Sequence, residues 1–313
     1  MRKTSFSTSL SKIAAALLTA TLASAAVAYD SGGSSWGGSY SGTGNCASGD
    51  GTSRAQSLQA VGLTSDQRLI CFNEFDPANA RTIGRVSGLF TDTSLIGIDF
   101  RVQDNKLYGV GNAGGVYTLD TTNGAATLVN RLSVALSGTS FGVDFNPAAD
   151  RLRIVSDTGQ NLRHNVNPGG TTATDAPLNY APGTPLNSIG PTAMGIVGSA
   201  YTNNDLSPLT ATTLYAFDST LDQIAIQSPP NNGSLAATGK LTVDAGPNAG
   251  FDIYSTVRDG VTVDVQSLAV FTTAADGRNG LYSIKLPTGK ATLRGSFGAS
   301  NSVVDIAIPL NQL

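Results

Sequence analysis

The chain has 313 residues, of which 40% are hydrophobic and only 13% charged, about half the usual globular share. Its formal net charge of −3 gives no electrostatic footprint for nucleic acid. The single histidine, His164, excludes any site built from several imidazoles, and with it most zinc enzymes and His-ligated copper sites.

Arg2 and Lys3 form a short basic start, followed by a mostly apolar stretch that includes Ile13–Leu18. Ala26-Val27-Ala28 before Tyr29 is a small-residue cleavage signal, so residues 1–28 are expected to be a signal peptide. The apolar stretch is broken by Ser and Thr and is short for a membrane span. Cleavage would remove three of the 19 basic residues and no acid, taking the net charge from −3 to −6. The expected location is secreted or periplasmic, with no membrane span in the mature chain. Residues 29–57 read as a Gly/Ser-rich linker that cannot bury enough apolar surface to offset its ordering entropy. Trp36, the only tryptophan, lies in it, either as an aromatic arm for a partner or as part of a flexible leader. The two cysteines, Cys46 and Cys71, suggest a disulfide in an exported chain, worth roughly 3 kcal/mol of loop entropy.

The remainder, residues 58–313, repeats. Gly97-Ile-Asp-Phe-Arg-Val-Gln-Asp-Asn-Lys-Leu-Tyr-Gly-Val110 matches Gly142-Val-Asp-Phe-Asn-Pro-Ala-Ala-Asp-Arg-Leu-Arg-Ile-Val155 in place. A weaker copy starts at Gly195-Ile-Val197, with Val197 where the others carry Asp; another starts at Gly250-Phe-Asp252, and a last fragment is Val303–Ile308. Short β-type runs joined by turns follow each copy. Val116–Asp120, Asn123-Gly124 and Ala126–Val129 read as a hairpin, as do Leu281–Leu286, Pro287-Thr-Gly289 and Ala291–Leu293. Arg163–Val166, Pro168-Gly-Gly170 and Thr171–Thr174 repeat the figure less apolarly. A period of 45–55 residues with about four strands is the signature of propeller blades. The expected fold is all-β: a five-bladed β-propeller closed by the C-terminal strand, with an irregular six-bladed ring as the alternative. Closure by that strand would leave no open sheet edge.

The string Gly142–Arg163 resembles a family of secreted bacterial proteins, domain of unknown function 4394. Ala200-Tyr-Thr-Asn203, Thr213–Asp218, Gln227–Leu235 and Gly250–Ile253 are similar to that family's signatures in the same order. The resemblance covers roughly residues 60–308 and implies no activity, cofactor or catalytic residue. His164 departs from the residue expected there.

Chemistry has three candidate seats. The recurring inner-strand aspartates Asp99, Asp144, Asp252 and Asp305 could approach one another in a central channel, where such an oxygen-rich set would take Ca²⁺. The competing reading has each Asp accept hydrogen bonds within its own blade. Arg153, Asn161, Arg163, Tyr201 and Asn203 are candidate ligand-binding residues. Folding the hairpin around Thr158 puts Arg153 opposite Arg163, and like charges across a ladder repel. An anion should therefore lie between them, either an internal carboxylate, with Asp144 and Asp150 nearest in sequence, or a bound acidic ligand. The irregular stretches Asp175–Pro191, Tyr201–Thr213 and Ser228–Lys240 would form rim loops suited to sugars or polar surfaces. The leading functional expectation is an exported binding or extracellular-matrix scaffold whose partner is a polysaccharide or a cell-surface or matrix component. The alternative is a glycosidase-like extracellular hydrolase using Asp carboxylates. Two close carboxylates in an open cleft would favour the enzyme.

Overall fold

The computed structural model describes residues 57–181 and 190–313. The expected signal peptide and the linker with Trp36 and Cys46 lie outside the described residues, apart from Ser57 at the linker's end.

Among the described residues, twenty-one strands form five sheets. The first strands are β1 (Gln59–Thr64), β2 (Arg68–Asn73) and β3 (Asp76–Arg85). Blade 2 comprises β4 (Leu95–Arg101), β5 (Lys106–Gly111), β6 (Gly115–Leu119) and β7 (Ala126–Arg131). Blade 3 comprises β8 (Phe141–Asn146), β9 (Arg151–Ser156), β10 (Asn161–His164) and β11 (Thr172–Thr174). A two-residue strand, β12 (Asn179–Tyr180), precedes β13 (Ile196–Tyr201), β14 (Leu214–Asp218), β15 (Gln223–Gln227) and β16 (Ser234–Lys240) of blade 4. It returns to the outer edge of that blade, pairing parallel to β16. Blade 5 holds the long hairpin β17 (Ala245–Arg258) and β18 (Val261–Thr273), then β19 (Asn279–Ile284) and β20 (Ala291–Ser296). The last strand, β21 (Val303–Ala307), pairs antiparallel with β1 through Val61↔Ala307 and Gly62↔Ile306. Blade 1 is thus β21-β1-β2-β3, with its inner strand supplied by the opposite end of the chain. This is a five-bladed β-propeller closed by the C-terminal strand; the six-bladed alternative falls. Among the described residues the only helical turn is the 3₁₀ turn Pro230–Asn232, and no helix is long and apolar enough to cross a membrane.

The inner strands β21, β4, β8, β13 and β17 pack on one another in a closed cycle. They are apolar on both faces because each is covered by a neighbouring blade on either side, as in β4, where six of seven residues are buried. Outer strands such as β7 have no buried residue and carry the polar surface. Five apolar clusters fill the structure, one at each interface between blades. Close packing at the axis also explains the recurring glycines. A Cβ on Gly142 would lie 2.6 Å from the backbone of Gly198 and Ser199, and one on Gly250 would lie 2.4 Å from Asp305 Cα. Gly198 is therefore the blade 4 counterpart of Gly97 and Gly142. The inner-strand Asp of blade 4 is replaced by Ala200, three residues beyond Val197. An irregularity in register between Ile196 and Gly198 displaced the sequence alignment.

Candidate functional site

The four recurring aspartates tie the inner strands together. Asp305 Oδ2 accepts the Ile98 N–H at 2.7 Å, across the interface from blade 1 to blade 2. Asp99 Oδ2 accepts the Phe145 N–H of blade 3 at 2.7 Å, and Asp144 Oδ1 accepts the Tyr201 N–H of blade 4 at 3.0 Å. Asp252 Oδ2 accepts the Ile308 N–H at 2.6 Å, from blade 5 to blade 1. The second oxygens of Asp99, Asp252 and Asp305 accept the N–H of the following residue. The first four contacts cross between blades and the last three stay within one, so the reading that kept each Asp's hydrogen bonds inside its own blade holds only for the second oxygens of Asp99, Asp252 and Asp305. All four residues are buried and none joins an ion pair among the described residues. Burial, with neighbouring carboxylates adding repulsion, pushes Asp99, Asp144 and Asp305 well above the usual carboxyl range. Burial raises Asp252 to about 6.

Three of the four meet as a set. Asp99, Asp144 and Asp252 each bring one oxygen within 4.8 Å of the others. These residues could hold a cation, but they supply few of the six to eight oxygens that Ca²⁺ takes. Five of their six oxygens already accept a backbone N–H. Asp305 lies outside that triplet and bridges blades 1 and 2.

The Arg153–Arg163 pairing is present in the β9–β10 ladder. The anion between the two is Asp175. Its Oδ2 accepts from Arg153 Nη1 and from Arg163 Nε, each at 2.6 Å, and its Oδ1 accepts from Arg163 Nη2 at 2.9 Å. Asp144 and Asp150, the nearest acids in sequence, are committed elsewhere: Asp144 to Tyr201 N–H and Asp150 to the Arg101 guanidinium. Arg153 is fully buried and also donates to Asn161 Oδ1, Asn231 Oδ1 and the Tyr201 hydroxyl. Four of the five residues singled out for ligand binding, Arg153, Asn161, Arg163 and Tyr201, thus converge on an internal network that welds blade 3 to blade 4. Asn203 stands apart, in the loop after β13, where its side-chain amide donates to the Ala211 carbonyl. His164 is buried between Thr172 Oγ1 (3.0 Å) and Asn130 Oδ1 (2.9 Å), and desolvation brings its imidazole down to about 4. It is a neutral spacer in the hairpin.

An open pocket of about 630 Å³ lies at the end of blade 5, against the start of the blade 4 rim loop. That size is ordinary for a small-molecule site. Lys285, Lys290 and Arg294 line it together with Thr202 and Tyr215 of blade 4, and no carboxylate does. The pocket exists because β18 runs on past its pairing with β19, which ends at Ser267↔Ile284. Asn204 and Asp205 of the blade 4 loop hold the projecting hairpin: Asn204 N–H donates to Ser255 Oγ, and Asp205 Oδ2 accepts from the Thr262 N–H and hydroxyl. Sequence reasoning missed this site. The available signal was three cations and no acid within residues 285–294 of a charge-poor chain.

A sequence model of the family described as Domain of unknown function (DUF4394) matches residues 68–307. The chain belongs to this family. The match spans all five blades, from β2 to the last residue of β21. No curated protein matches the chain. Solved structures similar to this DUF4394 member include a protein from Lactobacillus plantarum, at 12% identity and TM-score 0.40, covering 81% of this chain and 99% of the other. A protein from Bacteroides thetaiotaomicron, titled as of unknown function, is 13% identical with TM-score 0.41, covering 82% and 74%. A putative 6-phosphogluconolactonase from Bacteroides uniformis is 13% identical with TM-score 0.36, covering 80% and 99%.

Proposed function

We propose that this DUF4394 protein is an exported binding scaffold that holds a polysaccharide or a matrix or cell-surface component on the rim of a rigid propeller. The observation carrying this reading is the separation of its carboxylates from its open pocket. Hydrolysis of a glycoside needs two carboxyl groups flanking the bond in a site the substrate can enter. Here the close carboxylates are buried at the axis and bonded to backbone N–H groups, while the open pocket is lined by cations, hydroxyls and apolar side chains. Donors without a carboxyl pair suit recognition of a saccharide rather than its hydrolysis. Export rests on the residues 1–28 leader, and with it comes a Cys46–Cys71 disulfide; Cys71 is buried on β2 and Cys46 lies outside the described residues. The chain recovered from culture fluid or periplasm should begin at Tyr29 and gain two hydrogens on reduction. That material, screened on a glycan array and against generic glycosidase substrates, should bind without turnover. Catalytic release of sugar would overturn the binding reading.

A further inference from the structure

The pocket at the end of blade 5 is short of acceptors. Lys285 and Lys290 are exposed, and neither joins an ion pair among the described residues. Arg294 Nε is buried without a hydrogen-bond partner. The guanidinium is held against blade 1, 4.6 Å above the Phe75 ring and with Nη2 3.7 Å from Glu74 Oε2. Tyr215 is half-buried, and its hydroxyl has no hydrogen-bond partner among the described residues; burial keeps it protonated and therefore a donor. Every charged group lining the pocket is a cation, in a chain whose net charge is −3. A local field of this sign, set against an acidic background, concentrates anions.

The pocket also reaches both faces of blade 5. Tyr282 stacks on Phe271 toward blade 4, so strand alternation turns Ser283 and its cross-strand partner Thr292 toward blade 1. Tyr215 and Val265 sit on the blade 4 side. The lining therefore runs round the end of the blade, from Tyr215 past the Lys285–Lys290 turn to Arg294. Leu286 and Pro287 lie between the two lysines and offer an apolar strip.

We propose that this pocket binds an acidic oligosaccharide, whose carboxylate or sulfate groups meet Lys285, Lys290 and Arg294 while the C–H faces of its rings lie on Leu286 and Pro287. The proposal rests on the binding reading above and names its ligand class. An extended chain meets lining on both faces of the blade at once, and its repeated anions give each of the three cations a partner.

The test is calorimetric titration of the exported chain with three saccharide probes, trigalacturonate, its uncharged trimethyl ester and a sulfated heparin tetrasaccharide, and with a hexa-aspartate peptide as the non-saccharide control. At least one acidic probe should bind, and trigalacturonate should bind about tenfold or more tighter than its ester, the gap closing as salt is raised. The Lys285→Ala/Lys290→Ala double variant should lose that advantage without a change in melting point, because both side chains are exposed. A Lys106→Ala control on β5 should behave as the parent. Preference for the tetrasaccharide would assign the sulfated source, and preference for trigalacturonate the carboxylated one. Binding of the ester as tightly as both acidic probes would overturn the anionic assignment and leave the binding reading standing. Equally tight binding of a hexa-aspartate peptide would overturn the saccharide assignment. Binding of none of the three would overturn the inference, while the binding reading would still be decided by the wider glycan array.

Discussion

Asp175 is the keystone of the blade 3–blade 4 network, and its removal should cost far more than removal of its more visible partner. The Arg153 side chain is 1% exposed and that of Asp175 5%, whereas that of Arg163 is 34% exposed. Asp175→Ala would leave the Arg153 guanidinium buried with only the neutral Asn161, Asn231 and Tyr201 acceptors around it. Stranding one partner of a buried pair costs about 3–5 kcal/mol. Arg163→Ala leaves Asp175 still paired with Arg153 at 2.6 Å. The loss is then that of a half-exposed ion pair, about 1 kcal/mol. Because both arginines share one carboxylate, Asp175→Ala/Arg163→Ala should cost little more than Asp175→Ala alone. Equilibrium urea unfolding of the parent and the three variants measures this, provided the slope m is unchanged. Added salt should erode the Arg163 contribution and spare that of Arg153. Equal costs for Asp175→Ala and Arg163→Ala, or additive costs in the double variant, would refute the shared-carboxylate geometry.

Stability should be greatest in mild acid. Above the ordinary Asp value of 3.8, the folded chain keeps protons on Asp99, Asp144, Asp305 and, to about pH 6, on Asp252 that the unfolded chain has released. Their contribution therefore declines as pH rises through that window. His164 works the other way, since its value falls from 6.5 to about 4 and the unfolded chain binds the extra proton, but one imidazole opposes four carboxyls. Asp66, lowered to about 2, and the lowered Asp120 and Asp150 weaken the fold only below their ordinary 3.8. Melting points from pH 3 to 8 should peak between about pH 4 and 6, and a steady rise to pH 8 would refute the buried-carboxyl account. Deletion of Asn301–Leu313 removes β21 and the buried Val303, Ile306, Ile308 and Leu310, each worth about 1.5–3 kcal/mol. That loss is of the same size as typical net stability, so the truncated chain should not melt cooperatively near the parent temperature; a transition there would refute closure through blade 1.

The parts of the fold that repeat were readable in the chain. Gly97–Val110 and Gly142–Val155 carry the same inner-strand pattern because each must let the next inner strand approach at Gly, the Val143 side chain at Gly97 and the Gly198–Ser199 backbone at Gly142, and present a carboxyl group two residues later. The apolar tail Val303–Ile308 announced a buried strand that needed a sheet. The misalignment at Val197 followed from a local similarity, Gly195-Ile-Val, that competes with the true Gly198-Ser-Ala200 across a register shift. The anion between Arg153 and Arg163 was expected and its identity was not. Asp175 lies beyond the hairpin in a loop, and only the fold shows that Asp150 is taken by Arg101. The rim pocket was least legible. It joins Thr202 and Tyr215 to a turn some 70 to 90 residues away, and no local pattern links them.

The four axial carboxylates also define where the ring is different. They cross the interfaces from blade 1 to 2, 2 to 3, 3 to 4 and 5 to 1, and Ala200 leaves the interface from blade 4 to blade 5 without one. That seam is held by other means. Phe217 packs on Phe251 and Phe271 with ring centroids 6.0 and 5.6 Å apart, so aromatic burial supplies cohesion where the axial carboxyl-to-backbone bond is missing. At the rim, the Asn204 amide donates to the Ile253 carbonyl at 3.1 Å, a neutral tie that does not titrate. Asp205, the one acid in these rim ties, is buried and occupied by Thr262. The interface that forgoes an axial carboxylate is thus the one beside which Lys285 and Lys290 stand without a counter-charge. An acid placed among the lysines to strengthen the seam would neutralise them. Holding the two blades with phenyl rings and an amide keeps the seam closed without adding a negative charge beside the lysines.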